Sequence, residues 1–247
     1  MVDYATAMRG EGVLGGAVPA PAAPRRERGW SGFAGRALPA AAFAVFVVDK
    51  LLLAEGGARQ LAAAPRVGTA VYLADQLLGL AYFCLVTFLF VVRLPRRAGR
   101  RGAWVTAVSL FGTFALGATG FLPGATTRPE LVALSAAMLT VGLAYAVYAL
   151  SYLGRSFSIL PEARRLVVGG PYGLTRHPLY LGEVVATVGF ALPTIGLAGG
   201  ALVLCALAAL GLRIRWEEDV LAEEFPDQYP DYRRRVPMLL PLRWHKR

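Results

Sequence analysis

Six apolar runs separated by short polar stretches organise this chain, at residues 37–54, 69–92, 103–123, 131–153, 178–194 and 196–214. Crossing a bilayer as an α-helix takes about 20 apolar residues, with roughly 17–25 tolerated. The pattern therefore predicts an all-α, polytopic transmembrane bundle of about six spans. The fifth run is short and carries Glu183 and Pro193. It reads as a tilted span or as one arm of a hairpin with the sixth, turned by Pro193 and by Gly196, Gly199 and Gly200.

The runs divide the chain into three parts. Residues 1–36, rich in Pro, Ala, Gly and Arg, read as a flexible cytosolic tail. A secretory signal is disfavoured there, because Asp49 and Lys50 interrupt the following apolar run. Residues 37–153 hold four transmembrane helices, and residues 154–247 form a C-terminal core with a motif-bearing loop, a helical hairpin and a polar tail.

Charge placement orients the bundle. The tail carries Arg9, Arg25, Arg26, Arg28 and Arg36, and the loop after the second run carries Arg93, Arg96, Arg97, Arg100 and Arg101. Arg155, Arg164, Arg165 and Arg176 follow the fourth run, and the C-terminal region is basic again. Arg59, Arg66 and Arg128 alone fall in the other loops. By the positive-inside rule this alternation puts both termini, and every loop from 154 onward outside the hairpin turn, in the cytosol.

Composition agrees. The chain is 56% hydrophobic and 17% charged, which is membrane-protein usage. Its net charge of +10 could suggest nucleic acid, but the basic residues sit in short clusters between apolar runs, so no nucleic-acid partner is expected. Arg outnumbers Lys heavily, and with the abundance of Ala and Gly this points to a GC-rich bacterium and to its cytoplasmic membrane. Cys84 and Cys205 lie inside apolar runs and read as small hydrophobes. His177 and His245 are the only histidines, which excludes a multi-histidine metal centre; no metal is expected.

Chemistry concentrates between Leu153 and Leu242. Arg176-His177-Pro178 reads as a loop-to-helix junction, with Pro178 in a first turn where its missing N–H costs nothing. The free amides of that turn suit acceptor or anionic groups of a ligand, although His177 also fits a plain capping residue. Gly169-Gly170-Pro171-Tyr172 is a turn by composition. Arg213 and Glu217, four apart, fit an i,i+4 ion pair at the membrane boundary. A guanidinium at the end of a span is costly unless paired, which favours a function for Arg213. Tyr145, Tyr148 and Tyr152 form a stripe, either an interfacial aromatic belt or the wall of a lipid-entry groove. Asp49, Lys50 and Asp75 are expected to pair or snorkel, and Glu183, two helical turns past His177 at most, to join its hydrogen bonds.

Taken in order, Gly154-Arg155-Ser156-Phe157-Ser158, Leu166-Val167, Gly169-Gly170-Pro171-Tyr172, Arg176-His177-Pro178-Leu179-Tyr180, Arg213, Glu217-Glu218, Leu221, Phe225, Tyr229, Tyr232 and Val236-Pro237 resemble the isoprenylcysteine carboxyl methyltransferase family and its phospholipid methyltransferase relatives. That resemblance implies an integral-membrane enzyme using S-adenosylmethionine. It implies cofactor contacts from Leu166 and Val167 through their backbones, from Gly170, Tyr172, His177, Pro178, Leu179 and Tyr180, and from Glu218. The loop before Leu166 is shorter than in eukaryotic relatives, and Glu162 and Arg164 are the residues there for the cofactor's amino-acid end. Arg213 falls on the substrate-binding arginine, with Tyr148 and Tyr152 beside the acceptor's path, and Arg213, Glu217 and Glu218 form the expected catalytic set.

Methyl transfer needs alignment and a dry site more than it needs covalent help from the protein. The expected acceptor is a lipophilic small molecule or lipid bearing a carboxylate, which Arg213 would orient without any general base. A phospholipid or other amine would instead lose a proton to Glu217 or Glu218. From other classes, a sterol-reductase-like enzyme using NADPH and a non-catalytic membrane protein remain as alternatives.

Overall fold

The computed structural model describes residues 30–95, 97–100, 102–114, 128–194 and 196–240. Most of the expected N-terminal tail, Arg96, Arg101, the end of the third apolar run and His245 lie outside these residues. Within them the chain forms α1 (Trp30–Ala63), α2 (Val67–Val92), α3 (Ala103–Phe114), α4 (Pro129–Leu153), α5 (Pro178–Ala191), α6 (Leu197–Glu224) and α7 (Tyr229–Arg235). Each apolar run is helical where described. Segments of α1, α2, α4 and α6 are long and apolar enough to cross a membrane, whereas α3 and α5 are shorter apolar helices. Among the described residues, four of the expected six spans are full-length helices, α3 runs to the edge of the described residues at Phe114, and α5 is shorter. Leu192–Thr194 tighten into a 3₁₀ turn where Pro193 ends α5.

Small residues set the closest contact. A Cβ on Gly142 would lie 2.4 Å from the Ala186 nitrogen, and one on Gly182 would lie 2.8 Å from that of Ala146. At Gly189 the same addition would meet the Leu139 nitrogen at 2.8 Å. With no side chain at these three positions, α4 and α5 run backbone against backbone, the usual way membrane helices associate where lipid offers no hydrophobic drive. Ser135 Oγ donates to the Gly189 carbonyl across that seam at 2.7 Å. Phe43, Val86, Phe90, Ala149, Leu150 and Phe157 form the main apolar core between α1, α2 and α4.

Two features fasten the polar end. A two-residue ribbon pairs β1 (Ala98–Gly99) antiparallel with β2 (Glu162–Ala163), Ala98 opposite Ala163. An all-α reading of the sequence has no place for this ribbon, since two residues are too few to produce a period. The segment after α7 then straps the loop before α5. Arg176 N–H donates to the Pro237 carbonyl at 2.9 Å, and His177 N–H to that of Met238 at 3.1 Å. Tyr232 Oη donates to the Tyr172 carbonyl at 2.7 Å.

Candidate active site

The strap and the ribbon close a small cavity around the start of α5. Its lining includes Glu162, Arg164, Leu166, Val167, Tyr172, His177, Leu179, Tyr180 and Glu217. Eight residues expected at a cofactor from separate sequence segments thus meet in one place.

His177 occupies the N-cap position of α5 with Pro178 at the first helical position, as the Arg-His-Pro pattern predicts. Its ring stacks on Tyr180, with centroids 5.5 Å apart. Pro178 and Gly170 shape the walls without lining the cavity. Gly170 has φ +58, and a Cβ there would strike the Tyr152 ring at 2.2 Å. Glycine is therefore required twice over, for its left-handed backbone and for the approach of Tyr152. Tyr148 packs edge-on against Tyr152, with centroids 5.2 Å apart. Neither tyrosine lines this cavity.

The acidic residues take three different roles. Glu217 Oε2 accepts from the Tyr180 hydroxyl at 2.7 Å, inside the cavity. Glu218 points behind the wall instead, where its Oε1 lies 2.8 Å from Arg176 Nε and 3.2 Å from His177 Nε2. Glu162 pairs with Arg164 at 2.6 Å, both side chains almost fully buried. Ser158 Oγ also donates to Glu162, at 3.0 Å. Burial, reinforced by the nearby Glu217 carboxylate, pushes the Tyr172 hydroxyl well above the usual tyrosine range. Burial does the same at Tyr229 and Tyr232, helped by the Glu218 carboxylate. These three hydroxyls are neutral.

Leu166 and Val167 line the cavity outside any helix or strand, and Val168 follows them. Among the described residues their backbone groups join no backbone hydrogen bond. Such free donors and acceptors at a cavity wall need a partner, from water or from a ligand.

A second cavity, of about 360 Å³, lies inside the bundle between α1, α2, α3, α4, α5 and α6. Its walls are largely apolar, including Phe43, Phe46, Phe83, Leu139, Leu143 and Leu210. Two helices run past both cavities. On α5, Tyr180 lines the small one and Glu183 the large one. On α6, Ala206 and Leu210 line the large one, whereas Glu217 and Leu221 line the small one. These α6 positions share a face with Arg213, which falls between them.

Arg213 marks the border. Only 3% of it is exposed. Its guanidinium carbon sits 4.9 Å from the Tyr180 ring centroid. Its Nη1 donates to Thr113 Oγ1 at 3.3 Å and its Nη2 to the Ser158 carbonyl at 3.2 Å. Thr113 lines the large cavity and Ser158 the small one. The buried Nε has no hydrogen-bond partner. The i,i+4 ion pair with Glu217 does not form, and among the described residues no carboxylate oxygen comes within 4.0 Å of this guanidinium.

Two further expectations are corrected. Glu183 does not join His177; its Oε1 accepts from Tyr82 Oη at 3.0 Å. The His177 side chain reaches Glu218 on α6, whereas Glu183 reaches Tyr82 on α2. Asp49, Lys50 and Asp75 do not pair with one another among the described residues. Lys50 Nζ donates to Gln76 Oε1 at 3.1 Å, and Asp75 accepts from Thr140. Sequence reasoning also gave no role to Tyr82, Thr113 or Ser158. The available signal was a lone hydroxyl within an apolar run, or within the Gly-Arg-Ser-Phe-Ser stretch.

Comparison with known proteins fits this geometry. Residues 130–228 match the phospholipid methyltransferase family, a span holding every residue expected at the cofactor. The nickel-cobalt-cadmium resistance protein NccN of Alcaligenes xylosoxydans xylosoxydans is 35% identical over 113 residues, covering 44% of this chain and 52% of that protein. The cobalt-zinc-cadmium resistance protein CzcN of Cupriavidus metallidurans is 39% identical over 77 residues, 31% of this chain and 35% of that one. Methanethiol S-methyltransferase 2 of Bradyrhizobium diazoefficiens is 38% identical over 76 residues, 31% of this chain and 29% of that enzyme. The chain spans about half or less of the length of these curated relatives. A solved structure of the eukaryotic intramembrane Ras methyltransferase ICMT aligns with 85% of this chain and 96% of its own, at 18% identity and a TM-score of 0.44. This is an integral membrane protein whose residues 130–228 are similar to the phospholipid methyltransferases.

Proposed function

We propose that the chain is a methyltransferase that takes S-adenosylmethionine in the small cavity and a lipophilic carboxylate acceptor from the large one. The observation that carries this reading is Arg213, a buried guanidinium on the border of both cavities with an unpartnered Nε. An unpaired charge in such a place is expensive, and an acceptor carboxylate would relieve it.

The small cavity suits the cofactor by its donor set. The backbone of Leu166 and Val167 can take a heterocycle's edge, and the Tyr172 and Tyr180 rings offer faces to a sulfonium, each contact worth about 0.5–2 kcal/mol. Its enclosed part is about 50 Å³, so a bound nucleoside would extend beyond it into the mouth. Glu162 and Arg164 contribute a closed, mutually neutralised pair. Glu218 is a positioning residue, holding Arg176 and His177 so that the Tyr180 ring is fixed from behind. The cofactor supplies an electrophilic methyl group. Arg213 aligns the acceptor carboxylate toward it, the apolar walls exclude water, and no base is needed.

A second reading rests on Glu217, whose carboxylate faces the small cavity beside Tyr180. For an acceptor that must lose a proton, such as a phospholipid or other amine, or a thiol like that in the name of the Bradyrhizobium relative, Glu217 would receive it.

Both termini and the small cavity are proposed to face the cytosol of a bacterial cell. Reporter fusions after Ala64 and Arg128 should then read as external, and those after Arg100 and at the C-terminus as cytosolic. The cofactor is tested by calorimetric titration of the purified protein with S-adenosylmethionine, S-adenosylhomocysteine and NADPH. The first two should bind and the third should not. Binding of NADPH alone would replace this reading with a nicotinamide-dependent reductase.

A further inference from the structure

The large cavity is not uniformly apolar. At the end away from Arg213 it is lined by Asp49, Lys50, Asp75 and Gln76, in a region where the bundle is otherwise Phe, Leu and Ala. Asp75 and Gln76 are buried, about 12 Å from the start of α2 at 1.5 Å per residue. Ionisable groups at such depth are costly and generally serve a pathway or a ligand.

Local pairing does not exhaust this group. Lys50 spends one of its three donors on Gln76, and one Asp75 oxygen accepts from Thr140. No ion pair within 4.0 Å joins Lys50 to Asp75 or Asp49 among the described residues, so Lys50 and Asp75 stand near each other without direct contact. The end thus offers two carboxyl groups and one amine. Gly79 makes room for the arrangement, since a Cβ there would lie 3.2 Å from Lys50 Cδ. A purely structural clamp between α1, α2 and α4 would have no reason to border a cavity of about 360 Å³.

The spacing of the two polar ends is readable from α2. Tyr82, bonded to Glu183 near Arg213, and Asp75 are seven residues apart, so they share a face about 10 Å from each other. We infer that the acceptor has two polar ends. One is the carboxylate held near Arg213, and the other, about 10 Å away, is a terminal hydroxyl or ammonium that donates to Asp75. This rests on the reading of Arg213 as the carboxylate site and adds a second specificity determinant to it.

The test uses the full chain in lipid nanodiscs with S-adenosylhomocysteine present. Octanoic acid, ω-hydroxyoctanoic acid, ω-aminooctanoic acid and ω-hydroxybutyric acid are titrated in turn. The two ω-substituted octanoic acids should bind about tenfold tighter than octanoic acid, whereas the short hydroxy acid should show no such gain. Asp75→Asn should abolish the advantage of the ω-ammonium and leave octanoic acid unchanged, and Arg213→Leu should weaken all the acids alike. The relative gain of hydroxyl and ammonium identifies which terminal group is preferred. If octanoic acid binds as well as its ω-substituted forms while Arg213→Leu still weakens it, the distal contact is wrong and the Arg213 reading stands. If Arg213→Leu changes nothing, both fall. Should Asp75→Asn fail to fold, the wild-type series decides the matter alone.

Discussion

The two cavities are built on opposite principles. The small one draws on short segments rich in Gly, Pro, Tyr, His and Glu, tied down by backbone hydrogen bonds to the C-terminal strap. The large one draws single residues from six helices, most of them Phe, Leu or Ala. A site that must hold polar groups in fixed positions depends on particular residues at particular spacings. A site that must exclude water and accept a hydrocarbon needs only volume and shape, which many sequences provide. Arg213, Tyr180 and Glu183 belong to the border, and experiments that separate the two sides test the division of labour.

The largest effect is expected at that border. Arg213→Lys keeps the charge but loses the planar fork and its stacking on Tyr180. Disrupting one member of a buried charge pair costs about 2–5 kcal/mol, so turnover should fall about 30-fold or more. Affinity for S-adenosylmethionine should stay within about threefold of wild type. A variant that transfers methyl groups normally would remove Arg213 from the acceptor site and dissolve the border.

On the cofactor side, His177→Ala and Tyr180→Ala should each weaken S-adenosylmethionine binding about tenfold, the scale of one aromatic or cation–π contact. Circular dichroism should show both folded, because Arg176 and Arg233 still neutralise Glu218 in the first variant. Unchanged affinity in both would place the cofactor elsewhere. On the acceptor side, Ala206→Leu adds bulk to the wall of the large cavity. It should raise the acceptor KM several-fold, in keeping with about 1 kcal/mol for crowding an apolar site, and leave cofactor affinity alone. An effect on the cofactor instead of the acceptor would mean the cavities are not separate sites.

The same contrast decides how much was legible in the sequence. Helical runs and the N-capping His177-Pro178 junction follow from local pattern, because hydropathy and turn chemistry act over a few residues, whereas the meeting of Leu166, Tyr172, His177 and Tyr180 was expected only from the family resemblance. Less accessible was the fate of individual charges. Glu218 and Glu217 are neighbours in sequence and face different surroundings, one the Arg176–His177 cluster and the other the cavity. Glu183 finds Tyr82, 101 residues away. Such partners depend on helix rotation in the assembled bundle. The large cavity was invisible for a different reason, since interchangeable apolar residues from six helices carry no signature of the space they leave.

The smallest expected effect is a pH profile, and it separates the two acceptor readings. A carboxylate acceptor has its pKa near ~4 and is fully ionised from about pH 6 to 8, so single-turnover rates should change less than about twofold across that window. An amine has most of its nucleophile protonated there, and its rate should climb close to tenfold per unit as the proton leaves. The tyrosines of the site add nothing to either slope. Burial raises the hydroxyls of Tyr172, Tyr229 and Tyr232, so all three stay protonated throughout the window. His177 lines the cavity beside Glu218, so the series is repeated with His177→Gln, reading the shape of the profile instead of its height. A flat profile in both proteins, with Arg213→Lys impaired, keeps the carboxylate acceptor and Arg213 as its anchor. A steep rise in both, lowered by Glu217→Gln and indifferent to Arg213→Lys, would move the chemistry to Glu217 and make the acceptor an amine.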